Sequence, residues 1–488
     1  MISFLLSFVA LVVGYLLYGR FVERVFAPDD RPTPALAKAD GIDYIVLPSW
    51  KIFMIQFLNI AGTGPIFGAI MGAKFGPVAY LWIVFGCIFA GAVHDYFTGM
   101  LSMRHDGAGL PEMIGRYLGN TTKSMMLVFT VLLLIMVGTV FVYSPAEILH
   151  SIGGETMMWV AIIFVYYVIA TMLPIDKIIG KVYPLFAFSL LFMAGALMVW
   201  LFLHWPTLPE VWTDFYNMGA ATEPGKWTDS IFPALFITVA CGAISGFHGT
   251  QSPLMARCVK SEKMGRPIFY GAMITEGVVA LIWATVSSWF FYGNPAPGYE
   301  LIQNATAGFH TSAPAVVNLV CNEWLGVAGA ILAMLGVVAA PITSGDTAFR
   351  SGRLIVAEWL KLNQRPIINR LYICIPMFAC SIAMLIWQVE NPDGFNTIWQ
   401  YFGFSNQALS VFTLWTITVY LVRNKKPYWI ALIPALFMTT VCATFFFASK
   451  QTLHLPENVG YPLGIVCLVV AIAWFCIWYR KETKTLNS

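Results

Sequence analysis

Charge is what this sequence has least of. Only 11% of its 488 residues are charged, against 58% hydrophobic ones. A chain so poor in charge cannot cover a soluble globular surface, and its composition is that of a helical protein crossing a bilayer many times. The formal net charge is only +3, so no nucleic-acid partner is indicated. Cysteine pattern is missing too. The nine cysteines, Cys87, Cys241, Cys258, Cys321, Cys374, Cys380, Cys442, Cys467 and Cys476, show no CxxC or Cys/His spacing. They read as small buried hydrophobes, not as a disulfide or zinc framework. There is no GxxxxGK[ST] to cradle a nucleotide and no HExxH or GxSxG to carry hydrolysis. Neither ATP-driven transport, an enzyme activity nor an organic cofactor is therefore expected. The first residues lack a basic n-region and a small-residue cleavage site, so they read as a span and not as a removable signal.

What is present in abundance is apolar runs of spanning length. They fall at about 2–19, 50–72, 77–103, 123–147, 156–174, 182–204, 230–256, 267–293, 319–342, 369–389, 397–422, 428–448 and 461–479. That predicts an all-α polytopic protein of about thirteen transmembrane helices. The basic residues gather in alternate connections, among them Arg20 to Lys38, Arg104 and Arg116, Arg257 to Arg266, Arg350 to Arg370, and Arg423 to Lys426. The other connections are nearly bare: 148–155 and 294–312 hold no Lys or Arg, and 205–229 holds only Lys226. The positive-inside rule then predicts a multi-pass protein of the cytoplasmic (inner) membrane, N-terminus outside and C-terminus cytoplasmic. Residues 344–362, with Asp346, Arg350, Arg353 and Glu358, are read as the end of the preceding helix followed by an interfacial helix.

Two of the runs are broken. CGAISGFHGTQSP (241–253) places Gly242, Gly246, Gly249 and Pro253 in the centre of one, and NIAGTGPIFG (59–68) interrupts another. Freed backbone groups inside a membrane are tolerated only where protein buries them or where they line a cavity. Paired breaks in matching positions point to a secondary transporter's binding site. The first broken run enters from the basic side and the second from the bare side, and each opens a set of five spans. Five plus five spans of opposite topology is the inverted repeat of LeuT-type transporters, with two discontinuous helices. The expected units are an extra helix in 1–30, the repeats in 45–210 and 225–425, and two final helices in 426–488. The simpler reading of the glycines, close helix packing, stays open.

The stretches DGIDYIVLPSWKIF (40–53), IAGTGPIFGAIMGAKFG (60–76), GAVHDYF (91–97), SGFHGTQSP (245–253), TSGDTAFRSGRL (343–354) and WQYFGFSNQAL (399–409) together resemble the carbon starvation family of membrane transporters. The resemblance covers about residues 40–425 and implies uptake of peptides or pyruvate when carbon is scarce. It also implies a Na⁺ site of the LeuT kind, where Thr343 and Ser344 face carbonyls near Asn59 and Ala61. Hard oxygens suit that ion, although both hydroxyls could instead bond back to their own helix. Lys181, at the start of the fifth core helix, could stand in for the ion or be an ordinary interfacial lysine.

For the substrate, the expected contacts are Gly62, Thr63 and Gly64 in one break and Ser245, Gly246, His248 and Gln251 in the other. A helix restarting after Gly64 offers N–H groups to a carboxylate. Ionisable residues inside spans are functional candidates by default. These are His94, Asp95, Glu276 and His248, with Asp346 beside the hydroxyl pair; His248 is the foremost proton-sensitive group. The expected function is import of short peptides by alternating access coupled to Na⁺ or H⁺. Pyruvate symport is the alternative, and a non-transporting sensor or channel the contrasting class. The expected partners are a small-molecule substrate and the lipid bilayer.

Overall fold

The computed structural model describes residues 1–150, 153–173, 179–225, 227, 229–293, 311, 313–391 and 394–487, and every regular element among them is helical. Among the described residues nine helices are long and apolar enough to cross a membrane, and a bent pair makes ten. The remaining expected spans are helical but weaker. Thr156–Met172 is short, 231–256 is interrupted, and Gly394–Arg423 carries Ser405, Asn406, Gln407 and Ser410 along its middle.

The bent pair is the first broken helix, Ser49–Ala61 and Gly64–Ala73, which meet at 52°. The first half stops because Gly62 sits at φ +49°, in the left-handed region that glycine adopts freely. The second half restarts with Pro65, whose missing N–H falls where a helix start has no partner to offer. The second broken helix, which begins at Ile231, ends at Thr238 and resumes as His248–Ala256. Between them the backbone runs as turns through the Gly242–Gly246 stretch.

The breaks pack against each other. A methyl group on Gly64 would overlap the Cys241 side chain, and one on Gly68 would sit 2.9 Å from the carbonyl oxygen of Thr238. Around them stand the most buried helices, Val78–Arg104 and Glu262–Tyr292. The first and last helices lie outside, and Leu17, Val469 and Trp474 point outward as lipid-facing residues do.

The connections sort into two ends. At the basic end Arg104 reaches the Ala27 carbonyl at 2.8 Å and Glu262, Arg266 pairs with Glu23, and Arg423 pairs with Glu482. At the other end Glu210 accepts from the N–H groups of Ile2 and Ser3. Part of the expected 294–312 loop and the Lys181 side chain lie outside the described residues.

One expectation is corrected. Residues 344–360 form no separate interfacial helix; they continue Gly329–Leu360 without a break, and the kink of that long helix falls earlier, at Gly326. Asp346, Arg350 and Arg353 are at most 1% exposed, with a carboxylate, a tyrosine hydroxyl and carbonyls of other segments against them.

Candidate functional site

The polar centre of the bundle joins three elements. Val78–Arg104 brings His94 and Asp95, the second broken helix brings His248, and Glu262–Tyr292 brings Glu276. All four side chains are fully buried. The Asp95 carboxylate bridges two imidazoles, with Oδ1 at 2.8 Å from His94 Nδ1 and Oδ2 at 2.9 Å from His248 Nδ1. The far nitrogen of His248 faces Glu276 at 3.5 Å. A carboxylate on each Nδ1 makes that nitrogen the donor; Nε2 is then an acceptor in the neutral ring and a second donor in the imidazolium. His94 Nε2, His248 Nε2 and both Glu276 oxygens have no hydrogen-bond partner. In a membrane interior such a row of ionisable groups is costly, which makes it a functional candidate by default. Gly249 packs against the His94 ring, so the restart of the second broken helix presses on this row.

The first break supplies another set of buried polar atoms. Both side-chain atoms of Asn59, the Thr63 hydroxyl, Gln56 Oε1 and Gln251 Oε1 lack partners, although buried polar atoms nearly always find one. Gln251 Nε2 meets Thr250 and Ser351, and Gln56 Nε2 meets Ser252 at 3.1 Å. Aromatic rings wall this region: Phe141 lies 6.4 Å from Phe247 and 5.9 Å from Phe402, and Phe402 lies 5.6 Å from Trp399. The chain has therefore placed acceptors, a few donors and apolar walls between its two broken helices, which is the make-up of a small-molecule site.

Ser245 and Gly246, expected to face substrate, are engaged by Asn406 of Gly394–Arg423. Its side-chain oxygen accepts from Ser245 Oγ at 3.0 Å and Phe247 N at 2.7 Å, and its carbonyl accepts from Gly246 N at 3.1 Å. Asn406 thus satisfies the backbone that the second break frees. Nothing in local spacing pointed to it, beyond its place in the WQYFGFSNQAL stretch; its role comes from a contact across the bundle.

At the expected cation site the two hydroxyls differ. Ser344 Oγ reaches the first broken helix, donating toward the carbonyls of Leu58 at 3.1 Å and Asn59 at 2.9 Å. Thr343 bonds back to Ala339 and Ala340 of its own helix. Ala61 is buried at the end of the same half-helix. Asp346 binds neither Arg350 nor Arg353; it accepts from Tyr183 OH at 2.5 Å, and both arginines turn to Asp43 instead.

One group among the described residues has the spacing to share a metal ion: Cys241, His248 and Glu276, with donor atoms within 4.8 Å of one another. Cys241 also lies 3.6 Å from Ser245 Oγ. A thiol beside an imidazole suits a soft divalent ion and not Na⁺.

Comparison with known proteins fits this architecture. The family described as Carbon starvation protein CstA matches residues 1–153, 142–306 and 294–445. The peptide transporter CstA of Bacillus subtilis is 27% identical over 96% of this chain and 94% of its own length. The pyruvate/proton symporter BtsT of Escherichia coli is 26% identical over 92% of this chain and 81% of its own. A Haemophilus influenzae protein described only as an uncharacterized membrane protein is 45% identical over 60% of this chain and 92% of its own. Among solved structures, the Eremococcus coleocola manganese transporter aligns over 92% of this chain and 99% of its own, with a TM-score of 0.59 at 11% identity. A Na⁺-coupled sialic acid symporter aligns over 96% of each chain with a TM-score of 0.53 at 15% identity. At those identities the likeness shows the fold, and the fold is LeuT-like. The chain belongs to the carbon starvation family of membrane transporters.

Proposed function

We propose that this protein imports small carboxylate-bearing carbon sources, short peptides first, by alternating access driven by a proton gradient. The observation that carries the proposal is the buried row His94–Asp95–His248–Glu276, which ties the second broken helix to two neighbouring helices. A proton held there changes the charge of the group on which His248–Ala256 rests, so protonation and movement of that half-helix are linked. Two observations favour H⁺ over Na⁺. Thr343 points its hydroxyl into its own helix, and Ser344 already donates to the carbonyls an ion would need. The proton symporter among the relatives supports the same choice. The unpartnered Asn59, Thr63 and Gln251 atoms between the breaks are the groups that would hold the substrate's carboxylate and ammonium or keto oxygen. The basic end faces the cytoplasm in this reading.

The test is uptake by purified, chelator-washed protein in liposomes, with labelled tripeptide and labelled pyruvate under separate H⁺ and Na⁺ gradients. Accumulation of the tripeptide driven by H⁺ alone is the expected result. Accumulation of pyruvate alone favours the second reading, a monocarboxylate symporter. A requirement for Na⁺, or equilibration without accumulation, overturns the proton-coupled mechanism.

A further inference from the structure

The basic end holds a second polar cluster, separate from the His–Asp–His–Glu row. Arg257, Arg350, Arg353 and Arg370 are 4%, 1%, 1% and 6% exposed, an unusual degree of burial for arginine. Arg257 has its own carboxylate, Glu358, at 2.5 Å. Arg370 is held by the carbonyls of Met172, Gln364 and Arg365. That leaves Arg350 and Arg353 to share Asp43, which is 3% exposed. One oxygen of Asp43 serves both guanidiniums, each at 3.4 Å, longer than the ~2.7–2.9 Å of a well-formed charge-assisted bond. The Nε atoms of both arginines have no hydrogen-bond partner, and Arg353 gives one other N–H to Gln364 Oε1 at 2.7 Å. Asp346, one turn away, accepts from Tyr183 through Oδ2 and leaves its Oδ1 unpartnered, bonded to neither arginine. Two buried guanidiniums, each with an unused Nε donor, therefore share one stretched carboxylate oxygen, and no carboxylate fills either fork.

Asp43 lies six residues before Ser49, where the first broken helix starts, and the intervening Leu47 N is bonded to the Cys258 carbonyl beyond the second broken helix. Arg350 also donates to the carbonyls of Ala170 and Leu173, where Thr156–Met172 ends. The pair therefore ties together segments that must part if the site is to open at this end.

We propose that Arg350 and Arg353 form an exit subsite for a carboxylate, and that Asp43 occupies it as a tethered stand-in while this end is closed. A departing substrate presents its carboxylate to the guanidinium forks, Asp43 is displaced, and the 44–61 segment swings free. The anion part rests on the carboxylate substrate proposed above; the latch part does not.

The experiment uses the full-length protein and two readouts. Hydrogen exchange over residues 44–52 is followed without ligand, with the tripeptide and with pyruvate, and counterflow of each is measured from each face in sided liposomes. Asp43→Asn is expected to speed exchange at 44–52 without any ligand, and the tripeptide is expected to do the same in the unsubstituted protein. Arg353→Gln should raise the half-saturating tripeptide concentration at the basic face by about tenfold or more, leaving the other face unchanged, with Arg353→Lys intermediate. Unchanged exchange in Asp43→Asn overturns the latch. An equal shift at both faces, or neither tripeptide nor pyruvate having an effect on exchange, overturns the anion subsite while the latch stands. Absence of all uptake in the unsubstituted protein strikes the transport reading itself, and the Asp43 exchange arm is still decided.

Discussion

Replacing Asp95 by Asn separates a coupling role from a structural one. The carboxylate accepts two bonds, at 2.8 and 2.9 Å, from two buried imidazoles. The amide is nearly the same shape, but it can accept from only one ring. Its NH₂ group then confronts the other Nδ1–H, and that ring must move its proton to Nε2. For His94 this puts a donor where no partner exists; for His248 it points the proton at Glu276. A hydrogen bond to a charged group is worth about 1.5–3 kcal/mol and a neutral one about 0.5–1.5. Losing the charge on two such bonds therefore removes about 2–3 kcal/mol from the linkage between His248 and its neighbours. At about 1.4 kcal/mol per factor of ten, H⁺-driven uptake should fall by about 10²-fold. Substrate counterflow, which needs no net proton movement, should stay within about tenfold of the unsubstituted protein. The assay is paired measurement of gradient-driven accumulation and counterflow in the same liposomes. Asp95→Asn protein that still accumulates substrate on acidification would refute the row as the coupling element. Loss of both activities together would make Asp95 a structural residue.

Two shorter predictions bear on the rest of the chain. Ser344→Ala should lower thermal stability in detergent by about 1–2 kcal/mol, because the Leu58 and Asn59 carbonyls lose a donor, whereas Thr343→Val should cost less than about 1 kcal/mol, since its hydroxyl only doubles bonds within its own helix; equal effects would show that the two hydroxyls are not distinguished by their partners. At the other end, burial raises the Glu210 carboxyl, but the terminal ammonium and the Ser3 and Ile2 N–H groups outweigh it and hold the group below the usual glutamate range. A depressed carboxyl stabilises above its unfolded value and loses that contribution as pH falls through the folded one, so the protection of residues 2–6, taken as exchange relative to the intrinsic rate at each pH, should fall below about pH 4, and unchanged protection there would dismiss the anchor.

The spans were legible because a bilayer forces apolar runs into helices whatever lies next to them. The breaks were legible for the same reason: glycine and proline in the middle of such a run have few other uses. His94, Asp95, His248 and Glu276 could each be picked out as ionisable residues at membrane depth, and they come together. That they meet in one row depends on the rotation of three helices, which local sequence does not record. Asn406 escaped for a related reason, since a polar residue on a long helix announces no partner. The misreading of 344–362 is instructive. Asp346, Arg350 and Arg353 look interfacial by composition, yet Asp43, Tyr183 and the Ala170 and Leu173 carbonyls, all far away in sequence, make their burial tolerable.

The break glycines carry both readings that the sequence left open, at different positions. Gly62 is conformational: its φ of +49° is what lets the chain leave the helix. Gly64 and Gly68 have no such φ and are glycine because the other broken helix is too close for a side chain. A substitution series can divide the two causes. In Gly64→Ala the new methyl meets Cys241, a side chain, so the cost is overpacking of about 1–3 kcal/mol. Pairing it with Cys241→Gly removes the obstacle and should return most of that loss in a double-mutant cycle. In Gly68→Ala the methyl meets the Thr238 carbonyl at 2.9 Å, which is backbone, so no side-chain change relieves it. Gly62→Ala should fail independently of Cys241, because the strain lies in its own φ and the new methyl meets the Phe141 ring at 2.8 Å, not Cys241. Thermal stability and uptake measured across the set then test whether the two breaks move as one contact. If Cys241→Gly rescues Gly62→Ala as well as it rescues Gly64→Ala, the breaks are not held apart by the contacts described, and the hinge they form has another origin.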